Sequence, residues 1–220
     1  IVYSIISGNE SGLFTIDSAS GIITNSSTAL DTESTSSYSL NVEASDGAAT
    51  SNATVTIDVA GVNEEPAANY LSETLDEDMN HIITLGGADP ENDTLAFSIS
   101  RLPSSDMGKL YQTSDGTTIG DEITAIGTAV INLSGIVIFV PEANANGEAS
   151  FGYVSSDGIL VSDEANVDLA ISPINDAPVF LETDYTFSIE ENSSPLVIVG
   201  QVFTSDVEGH TIMYSIASGN

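Results

Sequence analysis

Residues 38–47 read Tyr-Ser-Leu-Asn-Val-Glu-Ala-Ser-Asp-Gly. Tyr38, Leu40, Val42 and Ala44 alternate with Ser39, Asn41 and Glu43, the period of two that gives an extended strand one apolar face. Asp46-Gly47 then closes the run with a turn signal. The same alternation returns at Val55/Ile57/Val59, Leu95/Phe97/Ile99, Ala149/Phe151/Tyr153, Val167/Leu169/Ile171 and Tyr185/Phe187/Ile189. No stretch sustains a 3.6-residue apolar period with caps, and Gly, Asn, Asp and Ser punctuate the chain at short intervals. The expectation is an all-β chain of sandwiches with almost no helix.

Composition narrows the chemistry. The 220 residues include 33 Asp plus Glu against two basic residues, Arg101 and Lys109, a formal net charge of -31. Because 41% of residues are apolar, the chain can still build a core and reads as folded and strongly acidic. Nucleic acid is excluded as a partner, since phosphate binding needs clustered cations. Two carboxylates about 4 Å apart repel by ~1 kcal/mol in water and ~4 kcal/mol at an effective dielectric of 20. With so few basic side chains, compensation has to come from solution, as divalent metal or high salt. The absence of Cys removes disulfides and thiolate metal sites and says nothing of compartment. Neither a charged-then-apolar leader nor a run of 18 apolar residues is present, so membrane anchoring is expected only through regions outside these residues.

The chain also repeats itself. VYSIISGN at 2–9 returns as MYSIASGN at 213–220, a spacing of 214 − 3 = 211 between the tyrosines, and VNEEP at 62–66 returns as INDAP at 174–178, a spacing of 178 − 66 = 112 between the prolines. Half of the first spacing is close to the second, so one period is the length of a small domain. The organisation expected is a closing portion of a repeat at 1–66, a complete repeat at 67–178 and an opening portion at 179–220. Acidic residues gather beside those boundaries, at Asp31-Thr-Glu33, Asp46-Gly47, Asn63-Glu64-Glu65-Pro66, Asp89-Pro-Glu91, Asp157-Gly158, Asn175-Asp176-Ala-Pro178, Glu190-Glu191-Asn192 and Asp206-Val-Glu208. Residues i and i+2 of an extended segment point the same way, so an Asp-x-Asp/Glu pair can turn two carboxylates onto one ion. Calcium takes six to eight such oxygens at about 2.3–2.6 Å.

YSIISGN (3–9), GLFTIDSASGIIT (12–24), LDTE (30–33), YSLNVEASDG (38–47) and VNEEP (62–66), in that order, resemble the cadherin repeat. SIEEN (188–192) and TSDVEGHTIMYSI (204–216) resemble its opening. The middle of the chain, through DEDMN (76–80), GADPENDTLAFSIS (87–100), FVPEANANGEASFGYVSSDG (139–158) and PINDAP (173–178), is similar to the bacterial cadherin-like tandem repeats of large surface adhesins. The resemblance implies tandem Greek-key β-sandwiches of the immunoglobulin-like, cadherin type, with acidic calcium-binding linkers. It implies Asp31, Glu33, Asn63, Glu64, Asp89, Glu91 and Asp157 as calcium ligands at the first junction, and Glu77, Asn175, Asp176, Asp206 and Glu208 at the second. Asp46 and Glu191 would serve junctions further along on either side. The chain departs from the family pattern where the linker usually begins with Asp, which is here Gly61 and Pro173. The middle repeat also lacks a clear LD-x-E, and Glu142, Asn144 and Asn146 offer oxygens that could replace it.

The function implied is that of a calcium-stiffened rod in an extracellular, cell-surface protein, secreted or attached to an outer membrane. It would mediate adhesion to other adhesin repeats or to cell-surface ligands, protein or glycan. The alternative is a spacer or binding module, recognising glycan or a surface, within a large secreted multidomain protein or hydrolase. The chain itself is not expected to be an enzyme. His81 and His210 lie far apart in sequence, the serines have no companion base, and no Gly-rich phosphate loop follows a strand.

Overall fold

The computed structural model describes residues 1–26 and 30–218, so Gly219 and Asn220, the end of the repeated octet, lie outside the described residues. Strands are the only regular elements among them, and no helix is long and apolar enough to cross a membrane. Two compact units form: one from Ile1–Ala67 with Ala88–Leu95 and Ser156–Ser162, the other from Ala68–Gly87, Ala96–Ser155 and the stretch from Asp163 on.

In the first unit, β1 (Val2–Ser7), β4 (Ser37–Ser45) and β5 (Thr50–Asp58) make an antiparallel sheet with β4 in the centre, while β2 (Phe14–Ile16) and β3 (Ile23–Asn25) form a hairpin. The pairing sets Tyr38 against Ile57 and Leu40 against Val55, so the apolar alternation of both strands falls on one face. Leu40 is fully buried there, and the buried Phe14 meets Tyr38 edge-on with centroids 5.2 Å apart. The SGN and ID-x-x-x-G signatures supply the local geometry. Gly8 sits at φ +85°, and a Cβ there would lie 2.0 Å from the Ser39 carbonyl oxygen, so only glycine fits. Asn9 accepts the Phe14 N–H at 3.0 Å and donates to the Phe14 carbonyl at 2.7 Å, closing the loop that delivers Phe14 to the core. Asp17 accepts the N–H groups of Ala19 and Ser20 at 3.1 and 2.7 Å and shapes the β2–β3 turn.

The middle of the chain runs through β6 (Ala67–Ala68), β7 (Leu71–Asp76), β8 (His81–Thr84), β9 (Gly87–Ala88), β10 (Ala96–Arg101), β11 (Gly108–Gln112), β12 (Thr128–Ala129), β13 (Ile136–Pro141), β14 (Gly147–Ser156) and β15 (Ala165–Ser172). One sheet has the order β12-β10-β14-β15-β7 and the other β11-β13-β8. Ile99, Phe151, Tyr153, Val167 and Leu169 from the first and Ile83, Leu110, Val137 and Phe139 from the second are all buried in one apolar core. β7 pairs in parallel with β15, from Leu71 opposite Val167 to Asp76 opposite Ser172. That register brings the end of β7 beside the chain leaving β15.

Beyond it, β16 (Val179–Phe180) pairs, among the described residues, only with β17 (Thr204–Ser205). The strand expected over Tyr185, Phe187 and Ile189 does not form, and Phe187 and Ile189 are exposed. Alternation supplies a face, but a strand also needs a neighbour for its N–H and C=O groups, and no strand among the described residues pairs with this stretch.

Tyr153 ties the middle core to its rim. Its hydroxyl lies 2.6 Å from the Asn69 carbonyl and 2.7 Å from the Gly86 carbonyl, donating its one proton to either, and accepts the Gly86 N–H at 3.3 Å. Tyr153→Phe keeps the packing and removes these bonds. The expected loss is ~1–3 kcal/mol, read in thermal melting as a midpoint lower by about 2–4 °C for each kcal/mol.

Candidate metal centres

In the first unit the carboxylates of Glu33, Glu64 and Glu91 converge, with one oxygen from each within 4.8 Å of the others. Each arrives for a local reason. Asp31 accepts the N–H groups of Glu33 and Ser34 at 3.0 and 3.1 Å and the Ser34 hydroxyl at 2.8 Å, a turn that holds Glu33 in place. Asp89 accepts the Asp93 N–H at 2.9 Å and so fixes the loop that carries Glu91, whose Oε2 receives the Glu64 N–H at 3.4 Å. Asn63 donates to Asp157 Oδ2 at 2.7 Å, and Asp157 Oδ1 accepts the N–H groups of Ile159 and Leu160 at 2.6 and 2.7 Å. All seven residues expected at the first junction therefore belong to one unit.

The electrostatics there are divided. Asn63, and then the N–H groups of Ile159 and Leu160, hold the Asp157 carboxyl below the usual carboxylate range. Hydrogen bonds from Ser34 likewise lower Asp31. At Glu33 a bond from its own N–H pulls down, but desolvation, the contact with Asp31 and the charges of Glu91 and Asp31 together push its carboxyl up. Asp89 Oδ2 and Glu91 Oε1 are buried with no hydrogen-bond partner.

In the second unit Glu77 is 1% exposed. The parallel β7–β15 register places it so that its Oε1 accepts the Ile174 N–H at 2.8 Å, leaving Oε2 buried without a partner. Asp176 receives no side-chain donor at its buried Oδ2, while its N–H donates to Glu208 Oε1 at 3.3 Å. Desolvation, then the charges of Asp78, Glu208, Glu77 and Asp206, raise the Asp176 carboxyl above its ordinary value. Asn175 donates to the Asp176 carbonyl at 2.8 Å. The five residues expected at the second junction thus gather in one place, and Asp78 joins them.

Asp78 and His210 are the additions that sequence reading did not make. Asp78 stood in the open in DEDMN, and its φ of +61° is the turn conformation that lets it face back toward Asp176. His210 is drawn to Asp206 by its own N–H, which donates to Asp206 Oδ1 at 2.8 Å. Asp46 and Glu191 stand outside both groups: Asp46 accepts the Ala48 and Ala49 N–H groups at 2.8 Å in the β4–β5 turn, and Glu191 is exposed between β16 and β17. Glu142 instead faces Lys109 at 3.7 Å.

Neither basic side chain reaches these groups. Arg101 binds Glu164 and Asn166 on the five-stranded sheet, and Lys109 lies between Glu122 and Glu142. What remains is a set of oxygen donors, several buried and unpartnered, which is the donor chemistry of a hard divalent cation.

Comparison with known proteins agrees with the architecture. Residues 1–60 match the family described as Cadherin domain, and residues 63–170 match the Bacterial Ig domain family. Human Protocadherin Fat 1 is 31% identical over 240 aligned positions, taking in 100% of this chain and 5% of that protein. Mouse Protocadherin Fat 4 is 28% identical over 94% of this chain and 4% of its own length, so the chain spans a small part of the curated relatives it matches. Among solved structures, mouse Protocadherin-24 EC1-3 superposes with a TM-score of 0.59 at 16% identity, covering 96% of this chain and 68% of that one. The Protocadherin GammaB4 extracellular domain gives 0.55 at 25% identity, covering 94% and 32%. Residues 1–60 are thus similar to cadherin domains and residues 63–170 to bacterial Ig domains, and the all-β architecture is like that of cadherin ectodomain repeats.

Proposed function

We propose that this chain is a segment of an extracellular adhesion protein whose two junctions bind calcium, and that the ion turns a self-repelling linker into a stiff one. In this reading the repeats divide at 66/67 and 178/179, and the chain is a non-catalytic adhesion module. The observation that carries it is the set of buried carboxylate oxygens without a hydrogen-bond partner, on Glu77, Asp89, Glu91, Asp176 and Glu208. A buried charge without a partner is strongly unfavourable, so a protein that keeps five such atoms at two places has a cation for them. The first site would draw on Glu33, Glu64, Glu91, Asp89, Asp31 and Asp157 with the Asn63 side-chain oxygen. The second would use Glu77, Asp78, Asp176, Asp206 and Glu208 with the Asn175 side-chain oxygen. Calcium supplies the charge these groups lack and accepts six to eight oxygens, the number such a cluster offers. Adhesion would follow from holding successive sandwiches in fixed orientation, presented to other repeats or to ligands on a facing surface.

Calcium binding predicts a stabilisation of about 2.7 kcal/mol at a hundredfold excess over Kd, a rise of roughly 5–10 °C in the melting midpoint. Glu91→Gln should weaken calorimetrically measured calcium binding at the first site roughly tenfold. Identical melting in calcium and in chelator contradicts the proposal.

Asp176→Asn should change sign with the metal. The raised carboxyl means that the protonated form is favoured in the fold, an advantage fully present below the ordinary value of 3.8 and lost as pH rises through the raised one. At pH 7 in chelator, removing that charge should raise the melting midpoint by roughly 2–4 °C. In saturating calcium the same substitution removes a ligand and should lower it. A shift in the same direction under both conditions would argue against a metal at Asp176.

A further inference from the structure

The two sites differ in one donor. The first offers oxygens alone, from Glu33, Glu64 and Glu91, whereas the second brings a nitrogen beside its carboxylates. His210 Nδ1 lies 3.4 Å from Asp206 Oδ1 and 3.9 Å from Glu208 Oε2. We propose that Asp206, Glu208 and His210 form a site for a borderline transition metal, with zinc as the reference ion, so that the second junction discriminates among metals where the first does not.

Tetrahedral zinc holds N and O ligands at about 2.0–2.2 Å, which places neighbouring ligand atoms roughly 3.4 Å apart. The imidazole–carboxylate separations lie at and just above that value, and one ligand atom from each of the three residues falls within 4.8 Å of the others. The loop presets the imidazole: Gly209 adopts φ +72°, its N–H donates to the Asp206 carbonyl at 3.3 Å, and the His210 N–H donates to Asp206 Oδ1 at 2.8 Å. Glu208 Oε2, the atom facing the ring, is buried and has no hydrogen-bond partner. Glu77, almost wholly buried, keeps an unpartnered Oε2, and its charge acts on Asp176 together with those of Asp206 and Glu208. Neutral imidazole suits zinc, copper and nickel, while calcium takes oxygens almost exclusively. His210 therefore adds affinity for the first class and little for calcium. The proposal rests on the reading that this junction gathers its carboxylates for a cation, and it adds a second class of metal that the same carboxylates accept when His210 joins them.

The test is calorimetric titration of the intact chain with zinc chloride and, separately, calcium chloride, for the wild type, His210→Ala and His81→Ala. His210 is 59% exposed, so its removal should leave the fold intact. His81, 3.6 Å from Glu73, is the control for any histidine–carboxylate pair. The expected result is a zinc affinity lowered at least tenfold by His210→Ala and unchanged by His81→Ala, with calcium affinity the same in all three. Zinc binding that is absent from the wild type, insensitive to His210→Ala or lost with His81→Ala overturns the proposal. Zinc binding that depends on His210 without any calcium binding would uphold this site and remove the calcium reading of the junctions.

Discussion

Like charges brought together out of water are the constraint on which this structure turns. The sandwiches obey ordinary rules of apolar burial, but their margins collect carboxylates of which five buried oxygens, on Glu77, Asp89, Glu91, Asp176 and Glu208, meet no donor, in a chain whose two basic side chains are engaged elsewhere. Such an arrangement is unfavourable in isolation and favourable around a divalent cation. The local turns serve it. Asp31, Asp89 and Asp157 each spend oxygens on backbone N–H groups, and in doing so they fix the positions of neighbouring groups that remain available.

The fold and the junctions are linked through strand register. Because β7 runs parallel to β15, the residue that follows β7 lands beside the chain leaving β15, and Glu77 is tied to Ile174 by one hydrogen bond. The apolar core of the middle domain thereby sets the position of a carboxylate at its margin. A disturbance of that core would be felt at Glu77 and at the chain leaving β15.

Much of this was legible in the sequence, and the reasons are particular. The alternation over 38–44 specified both the strand and its inward face, since a slip of one residue would have exposed Leu40. The SGN and ID-x-x-x-G signatures were legible as family residues, and the structure gives them structural work: Gly8 admits no Cβ, and Asn9 and Asp17 close turns. The acidic pairs were legible as sequence that recurs beside the repeat boundaries, but their geometry was not: they lie in turns and bends rather than extended strand, where Asp31, Asp89 and Asp206 accept backbone N–H groups and so place the acid two residues on. Asp78 was not, because its part depends on a positive φ that periodicity does not encode. His210 was judged by its distance along the chain from His81, whereas its relevant neighbours are carboxylates two and four residues away. The strand expected at 185–189 failed because pattern specifies a face and says nothing about whether a ladder partner is at hand.

The most direct measurement is a crystal structure of the chain grown in millimolar calcium, refined with attention to difference density among Glu33, Glu64 and Glu91 and between Glu77, Asp176 and Glu208. The account predicts a strong peak at each place with carboxylate oxygens about 2.3–2.6 Å away. Water alone at both positions, with the carboxylates turned out to solvent, would contradict it.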